Sequence, residues 1–183
     1  NKYPVEINRL TDKKYDIILA NGRAFTNGEI TYIFRYAADL EASGNVTQTM
    51  SGDKRLAVFN WAPVQWEVPL EHQAVVVRFP LTASAAGPDA AFLQKIGFQT
   101  ENFVNTRYML DYPVAKTPAG ENIFSVNFFK RDLPGKYHFQ IQVYLGAELF
   151  ALKTMAYGGL LKAPPAKTEY MPAEEKHYLN RYF

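Results

Sequence analysis

The stretch from Lys136 to Leu145, KYHFQIQVYL, constrains the fold more than any other. Tyr137, Phe139, Ile141, Val143 and Leu145 fall on one side of an extended chain. His138, Gln140, Gln142 and Tyr144 fall on the other. A period of two belongs to a strand, and an apolar side opposite a wet side belongs to antiparallel sheet. The pattern recurs. In Asn122 to Phe129 the apolar side is Phe124, Val126 and Phe128. In Arg55 to Pro80 a strand ends with Val75, Val77 and Phe79 opposite Val76 and Arg78. In Glu29 to Ala37, Ile30, Tyr32, Phe34 and Tyr36 oppose Glu29, Thr31, Ile33 and Arg35.

Turn chemistry separates these runs. Asn21-Gly22 and Asn27-Gly28 accept positive φ, so Tyr15 to Ala20, Arg23 to Thr26 and Glu29 to Ala37 read as a meander after a polar lead-in, Asn1 to Lys14. Asp39 to Lys54 is turn-rich and reads as a connection between sheets. Its Asn45-Val46-Thr47 is a formal glycosylation sequon, of a kind that occurs by chance at this length. Trp66 to Pro69 reads as a short strand stopped by proline, with the Trp66 indole as a core anchor. Pro88-Asp89 opens a short helix, Ala90 to Lys95, with Phe92, Leu93 and Ile96 inward. Phe103 to Leu110 reads as a strand and Pro113 to Gly120 as loop. Leu133-Pro134-Gly135 is a turn, and Leu149 to Tyr157 is a return strand ended by Gly158-Gly159. Short strands with turns every 8–12 residues predict an all-β, immunoglobulin-like antiparallel sandwich over residues 1–160. Residues 161–183 read as a Pro-containing linker and a terminal tail, with a short helix over Pro172 to Phe183.

Composition narrows the function classes. The chain has 183 residues, enough for one good-sized core, with 48% hydrophobic and 15% aromatic residues. The net charge is only +2 and no Lys/Arg run exceeds two residues, so no electrostatic footprint for nucleic acid is visible. There is no cysteine, which excludes disulfides and thiolate metal sites. No apolar run approaches the roughly 18 residues that span a bilayer. The chain opens at Asn1 without methionine, as a trimmed piece or a processed mature protein does.

The titratable residues make no recognisable catalytic set. His72 follows Glu71 at the start of a strand and reads as a polar edge residue rather than a general base. His138 shares the wet face with Gln140 and Gln142. Glu174 and His177 stand at i, i+3, a spacing some metal helices use, but two ligands make a poor site and a solvated helix face is the simpler reading. Glu67, Glu71, Glu101 and Glu121 are scattered, and nothing in their spacing asks for the paired carboxylates of a glycosidase. No Ser-His-Asp set, phosphate loop or zinc signature occurs. No cofactor is expected. The aromatics Tyr32, Phe34, Trp66, Phe124, Phe128 and Phe139 are read as core; Tyr144, Tyr157 and the tail aromatics are less readily so. In the tail, Tyr178, Leu179, Tyr182 and Phe183 form one stripe at helical spacing, with acids first and Arg181 last, and this stripe is the expected partner contact.

Three stretches resemble one known pattern: DIILANGRAFTNGEITYIF, FNWAPVQWEVPLEHQAVVVRFP and AGENIFSVNFFKRDLPG. Together they are similar to the extracytoplasmic β-domain of a bacterial family of predicted membrane proteins of unknown function, in which that domain precedes transmembrane segments. The similarity covers about half of the chain and departs after Lys136. It carries no catalytic residues. It implies an extracytoplasmic location, periplasmic or cell-surface, with membrane proximity through flanking segments. It also implies a non-enzymatic role, and the reading is a binding or assembly module that works with a protein partner or neighbouring subunit. A carbohydrate-binding module with exposed aromatics, and a hydrolase with an unrecognised carboxylate pair, are the alternatives.

Overall fold

The computed structural model describes residues 4–11, 14–23, 27 and 31–152. The chain divides into two compact units, 1–37 and 38–183. The sequence reading, which runs one domain over 1–160, does not draw the boundary after Ala37. The linker and tail, 161–183, lie outside the described residues, as does all of the expected return strand beyond Leu152.

In the first unit β1 (Val5–Thr11) pairs antiparallel with β2 (Lys14–Leu19). A short turn of 3-10 helix, Ala20–Gly22, follows, in which Asn21 and Gly22 both hold positive φ, 61° and 63°. That is what the Asn-Gly pair predicts. The expected polar lead-in is corrected here, since Val5 to Thr11 is a strand. Glu6, Asn8 and Arg9 break its apolar run, and only its partner β2 identifies it. The alternation of Glu29 to Ala37 is also corrected. Its described part, 31–37, joins no sheet and is exposed throughout.

The second unit is an all-β antiparallel sandwich. One sheet has the order β3 (Val46–Ser51), β4 (Lys54–Trp61), β10 (Ile141–Gly146), β6 (Gln99–Thr100). The other has the order β5 (Leu70–Thr82), β9 (Asn122–Leu133), β7 (Met109–Asp111), and β8 (Ala115–Lys116) also pairs with β9. The core lies between them. Phe124, Val126 and Phe128 of β9 meet Ile141, Val143 and Leu145 of β10, all essentially fully buried. Burial of large apolar side chains contributes on the order of 2–3 kcal/mol each, which makes this cluster the main term holding the sheets together. Phe124 is the centre of an aromatic group in which Phe79, Phe92, Phe98 and Tyr112 lie 5.4 to 6.1 Å from it between ring centroids. Pro80 falls where the β5–β9 register slips, between Arg78 and Thr82, so its missing N–H interrupts no regular ladder.

The helix expected at Ala90 to Lys95 is there as α1 (Ala90–Lys95), with the Asp89 carboxylate accepting from the Phe92 N–H at 2.7 Å. Leu93 and Ile96 are buried and Phe92 packs against the core. Four strand assignments need correction. Residues 46–51, read as connection, form β3. It pairs with β4 through the Gly52-Asp53 turn, and its Thr and Gln residues concealed it. Most of Phe103 to Leu110 is helix, α2 (Asn102–Arg107). FVNTRYML fits both periods, and the tertiary contacts select the helical one: Val104 and Tyr108, four apart, are both buried. The Lys136 strand starts only at Ile141, because the Gln140 N–H donates to the Tyr108 hydroxyl at 3.0 Å instead of to a ladder. Trp66 to Pro69 joins no sheet. Trp66 is 49% exposed; Trp61, in β4, is the indole that packs on the core.

Candidate binding surfaces

The N-terminal hairpin sorts its side chains by face. The register opposes Val5 to Leu19, Ile7 to Ile17 and Arg9 to Tyr15, so these six share one side, apolar except for Arg9. Glu6, Asn8, Asp16 and Ile18 share the other. Ile7 is 64% exposed, and Val5, Leu10, Tyr15 and Ile18 are exposed as well. Residues 31–37 add Tyr32, Ile33, Phe34 and Tyr36, with Ile33 and Tyr36 at 74% and 73%. The Tyr32 and Phe34 rings stack 6.2 Å apart and within 6° of parallel. A two-stranded ribbon is at best marginal alone in water. The described residues of this unit thus leave many large apolar side chains exposed.

The polar residues at alternate positions from His138 to Tyr144 form two groups. His138 Nδ1 lies 3.1 Å from Gln65 Nε2 and its Nε2 lies 3.3 Å from Gln140 Oε1, while Gln140 Nε2 donates to Asn60 Oδ1 at 3.1 Å. Further along, Gln142 Nε2 donates to the Tyr144 hydroxyl at 2.6 Å and to Glu101 Oε1 at 3.3 Å. The Tyr144 hydroxyl in turn donates to Glu101. Tyr144 was placed on the wet face by the alternation, and this is corrected: it is completely buried, in a small cluster with Leu56 and Val58. Burial, and then its bond to Glu101, push the Tyr144 phenol well above its ordinary value. Such a hydroxyl stays protonated and donating. The group ties Glu101, at the start of α2, to Gln142 and Tyr144 of β10.

A third surface is a cleft of about 260 Å³ where α2 runs into β7 beside β9. Thr106, Arg107, Tyr108, Met109, Phe129, Lys130 and Arg131 line it. Each cation lies against an aromatic ring: Arg107 over Phe103 at 5.6 Å, Lys130 over Tyr137 at 5.5 Å and Arg131 over Phe129 at 5.7 Å. Lys130 Nζ also donates to the Arg107 carbonyl at 3.3 Å, at the end of α2. Nearby, burial and the adjacent Tyr108 push the Tyr137 phenol up.

Of the four singled-out carboxylates, Glu101 enters the Tyr144 cluster. Glu67 forms an exposed ion pair with Lys136 at 3.2 Å. His72 is half-buried in β5, its ring 5.9 Å from that of Phe129. Phe124, Phe128 and Phe139 are core as read, whereas Tyr32, Phe34 and Trp66 are exposed and that reading is corrected. Tyr157, Glu174, His177 and the stripe of Tyr178, Leu179, Tyr182 and Phe183 lie outside the described residues. Among the described residues no three of His, Asp and Glu group to hold a metal, and no helix is long and apolar enough to cross a membrane. Sequence reasoning missed the basic cleft. Its signals, Arg107 and Lys130-Arg131, lie over 20 residues apart and meet only through the β7–β9 pairing. Comparison with family models, with curated proteins and with solved structures finds no match to this chain.

Proposed function

We propose that this chain is a non-enzymatic, extracytoplasmic binding or assembly module of a bacterial cell-envelope protein. Its sandwich is read as immunoglobulin-like, and its partner is a protein that supplies a β-strand or sheet face to the N-terminal unit. The observation that carries this reading is the set of exposed large apolar residues of that unit, Val5, Ile7, Leu10, Tyr15, Ile18, Tyr32, Ile33, Phe34 and Tyr36. Both strands of a two-stranded ribbon are edges, and residues 31–37 join no ladder, so added backbone pairing has somewhere to form. The envelope location rests on the resemblance of three stretches to an extracytoplasmic β-domain.

The test is a photo-cross-linker placed at Ile7 or Phe34 in cells that make the protein, with exposed Ala119 of the sandwich as the control position. One discrete adduct from positions 7 and 34, absent from 119, supports the proposal. Equal labelling at all three positions, or none, overturns the contact. Protease added to intact and to outer-membrane-permeabilised cells tests the compartment separately.

The near-parallel Tyr32 and Phe34 rings favour one second reading, a carbohydrate platform, since flat exposed rings stack on sugar faces. A glycan array decides it: binding that Tyr32→Ala and Phe34→Ala abolish would replace the protein-partner reading.

A further inference from the structure

We propose that residues 31–37 of one copy add as a third strand to the free edge of β2 in a second copy, so that the N-terminal unit forms a reciprocal homodimer. This rests on the reading of that unit as a contact surface and names its partner. The donor segment is TYIFRYA. It alternates as a strand does, joins no ladder and is exposed at every position. The acceptor is β2. Among the described residues it pairs with β1 alone, and its other edge carries no strand.

One antiparallel register satisfies both faces of the two strands. With Phe34 opposite Ile17, Tyr32 falls opposite Leu19 and Tyr36 opposite Tyr15, so three aromatics extend the apolar side of the hairpin. On the other side Ile33 falls opposite Ile18, and Arg35 opposite Asp16. Aromatic and β-branched pairs, and opposite charges set directly across a ladder, both favour pairing. A slip of one residue would turn the aromatics to the side of Asp16, and a slip of two would part Arg35 from it. Tyr15, Asp16 and Ile18 are exposed, so nothing has to be uncovered first. The edge of β1 suits the segment less. Glu6 there already accepts the Asn21 N–H at 3.0 Å, and Ile33 would face the polar Asn8. The way the chain leaves β2 favours a second copy over the same chain as the donor. The Ala20 N–H donates to the Pro4 carbonyl at 3.0 Å and the Asn21 N–H to Glu6, both on the β1 side. The chain therefore turns across the start of β1, away from the free edge of β2. A segment from another copy meets that edge without a reversal. Mutual exchange closes a two-fold dimer and buries two added strands.

The experiment is sedimentation equilibrium on the purified 183-residue chain and on charge-reversed variants. The parent should have the mass of two copies at about 100 μM. Asp16→Arg and Arg35→Asp each set like charges opposite one another at both junctions, and each should weaken the dimer about tenfold. Both positions are exposed, so neither change disturbs a core. Mixing the two variants in equal amounts should restore the dimer, because each junction of a mixed pair again has one acid and one base. The proposal is overturned by a parent that stays monomeric, or by a dimer that neither variant weakens. It is also overturned by a dimer that the double variant Asp16→Arg/Arg35→Asp restores and mixing does not, since the pairing would then lie within one chain. A monomer whose cross-linker at position 34 still captures one different protein overturns the second copy and leaves the contact surface standing. A monomer that gives no adduct removes both.

Discussion

Two stretches with nearly the same pattern have opposite fates. NIFSVNFF, in β9, and EITYIFRYA, ending at Ala37, both alternate large apolar residues with others. In the first, Phe124, Val126 and Phe128 are completely buried, and the intervening Ser125 and Asn127 are covered too. In the second, every described residue is exposed. Alternation is a local property that prepares a chain to be one side of a sheet. Burial needs a second surface brought from elsewhere, and β9 receives it from β10 and from its neighbours β5 and β7. Residues 31–37 receive none from the described chain. The comparison separates being able to form a strand from having a strand to join.

The largest effect should mark that separation. Phe128→Ala opens a cavity in the packed core and should destabilise by about 3–5 kcal/mol, lowering Tm by roughly 10 °C. Phe34→Ala removes the same atoms from an exposed site and should cost less than about 0.5 kcal/mol. Thermal unfolding of the two variants side by side measures the contrast. Similar losses would mean that Phe34 is buried against the same chain in solution.

A smaller effect should come from the buried hydroxyl behind β10. Tyr144→Phe leaves Glu101 and Gln142 short of a partner and should cost about 1–3 kcal/mol. The pH dependence has a definite sign. The folded Tyr144 phenol is raised above its unfolded value of about 10, so the folded state keeps a proton that the unfolded state releases. Its contribution is complete below about pH 10 and is lost as pH rises beyond it, at about 1.4 kcal/mol per pH unit. Denaturant titrations at pH 8 to 11 should show a fall that is shallower in Tyr144→Phe. Tyr137, shifted the same way, supplies a residual slope.

These contrasts show what was legible. The all-β class, the Asn21-Gly22 turn, the capped helix after Asp89, and the apolar sides of β9 and β10 follow from local chemistry and were read correctly. The errors share one cause. Val46 to Ser51 is polar, yet becomes a strand because Lys54–Trp61 lies beside it. Phe103 to Leu110 fits two periods, and burial of Val104 and Tyr108 selects the helix. Tyr144 sits at a wet register position and is buried through a bond to Glu101, 43 residues away in sequence. The basic cleft escaped notice because its cations are separated in sequence and joined by one short ladder. Each failure lies in long-range pairing, which a pattern within ten residues does not carry.

The two tryptophans sharpen the same lesson at a lower energy. The connection holding Trp66 is pinned by backbone: the Lys136 N–H donates to the Trp66 carbonyl at 2.6 Å, and a Cβ at Gly135 would collide with the Glu67 carbonyl oxygen. The indole itself is half exposed. Trp66→Ala should therefore cost about 1 kcal/mol, well below the figure for a core indole, while Gly135→Ala should cost more despite its smaller change. Denaturant midpoints of the two variants check that order.

The smallest effect on stability should be the largest on association. Ile7 faces Ile17 across the β1–β2 ladder with most of its side chain in water. Ile7→Thr keeps the β-branch that suits a strand and replaces a methyl-bearing arm by a hydroxyl. Within the hairpin little is lost, because an exposed side chain has not yet gained its burial energy; the cost should stay within about 0.5 kcal/mol. If a partner sheet covers this side, the same substitution places a hydroxyl in an apolar contact and removes buried area at the interface. A loss of about 1–3 kcal/mol in binding should follow, which is roughly a tenfold to hundredfold weaker complex. The measurement pairs Tm with the yield of the cross-linked adduct from position 34. An unchanged Tm with a lost adduct means that the face works between molecules. A fall of several degrees in Tm would mean that Ile7 packs within its own chain, and the difference between the two units would then reflect stability rather than function.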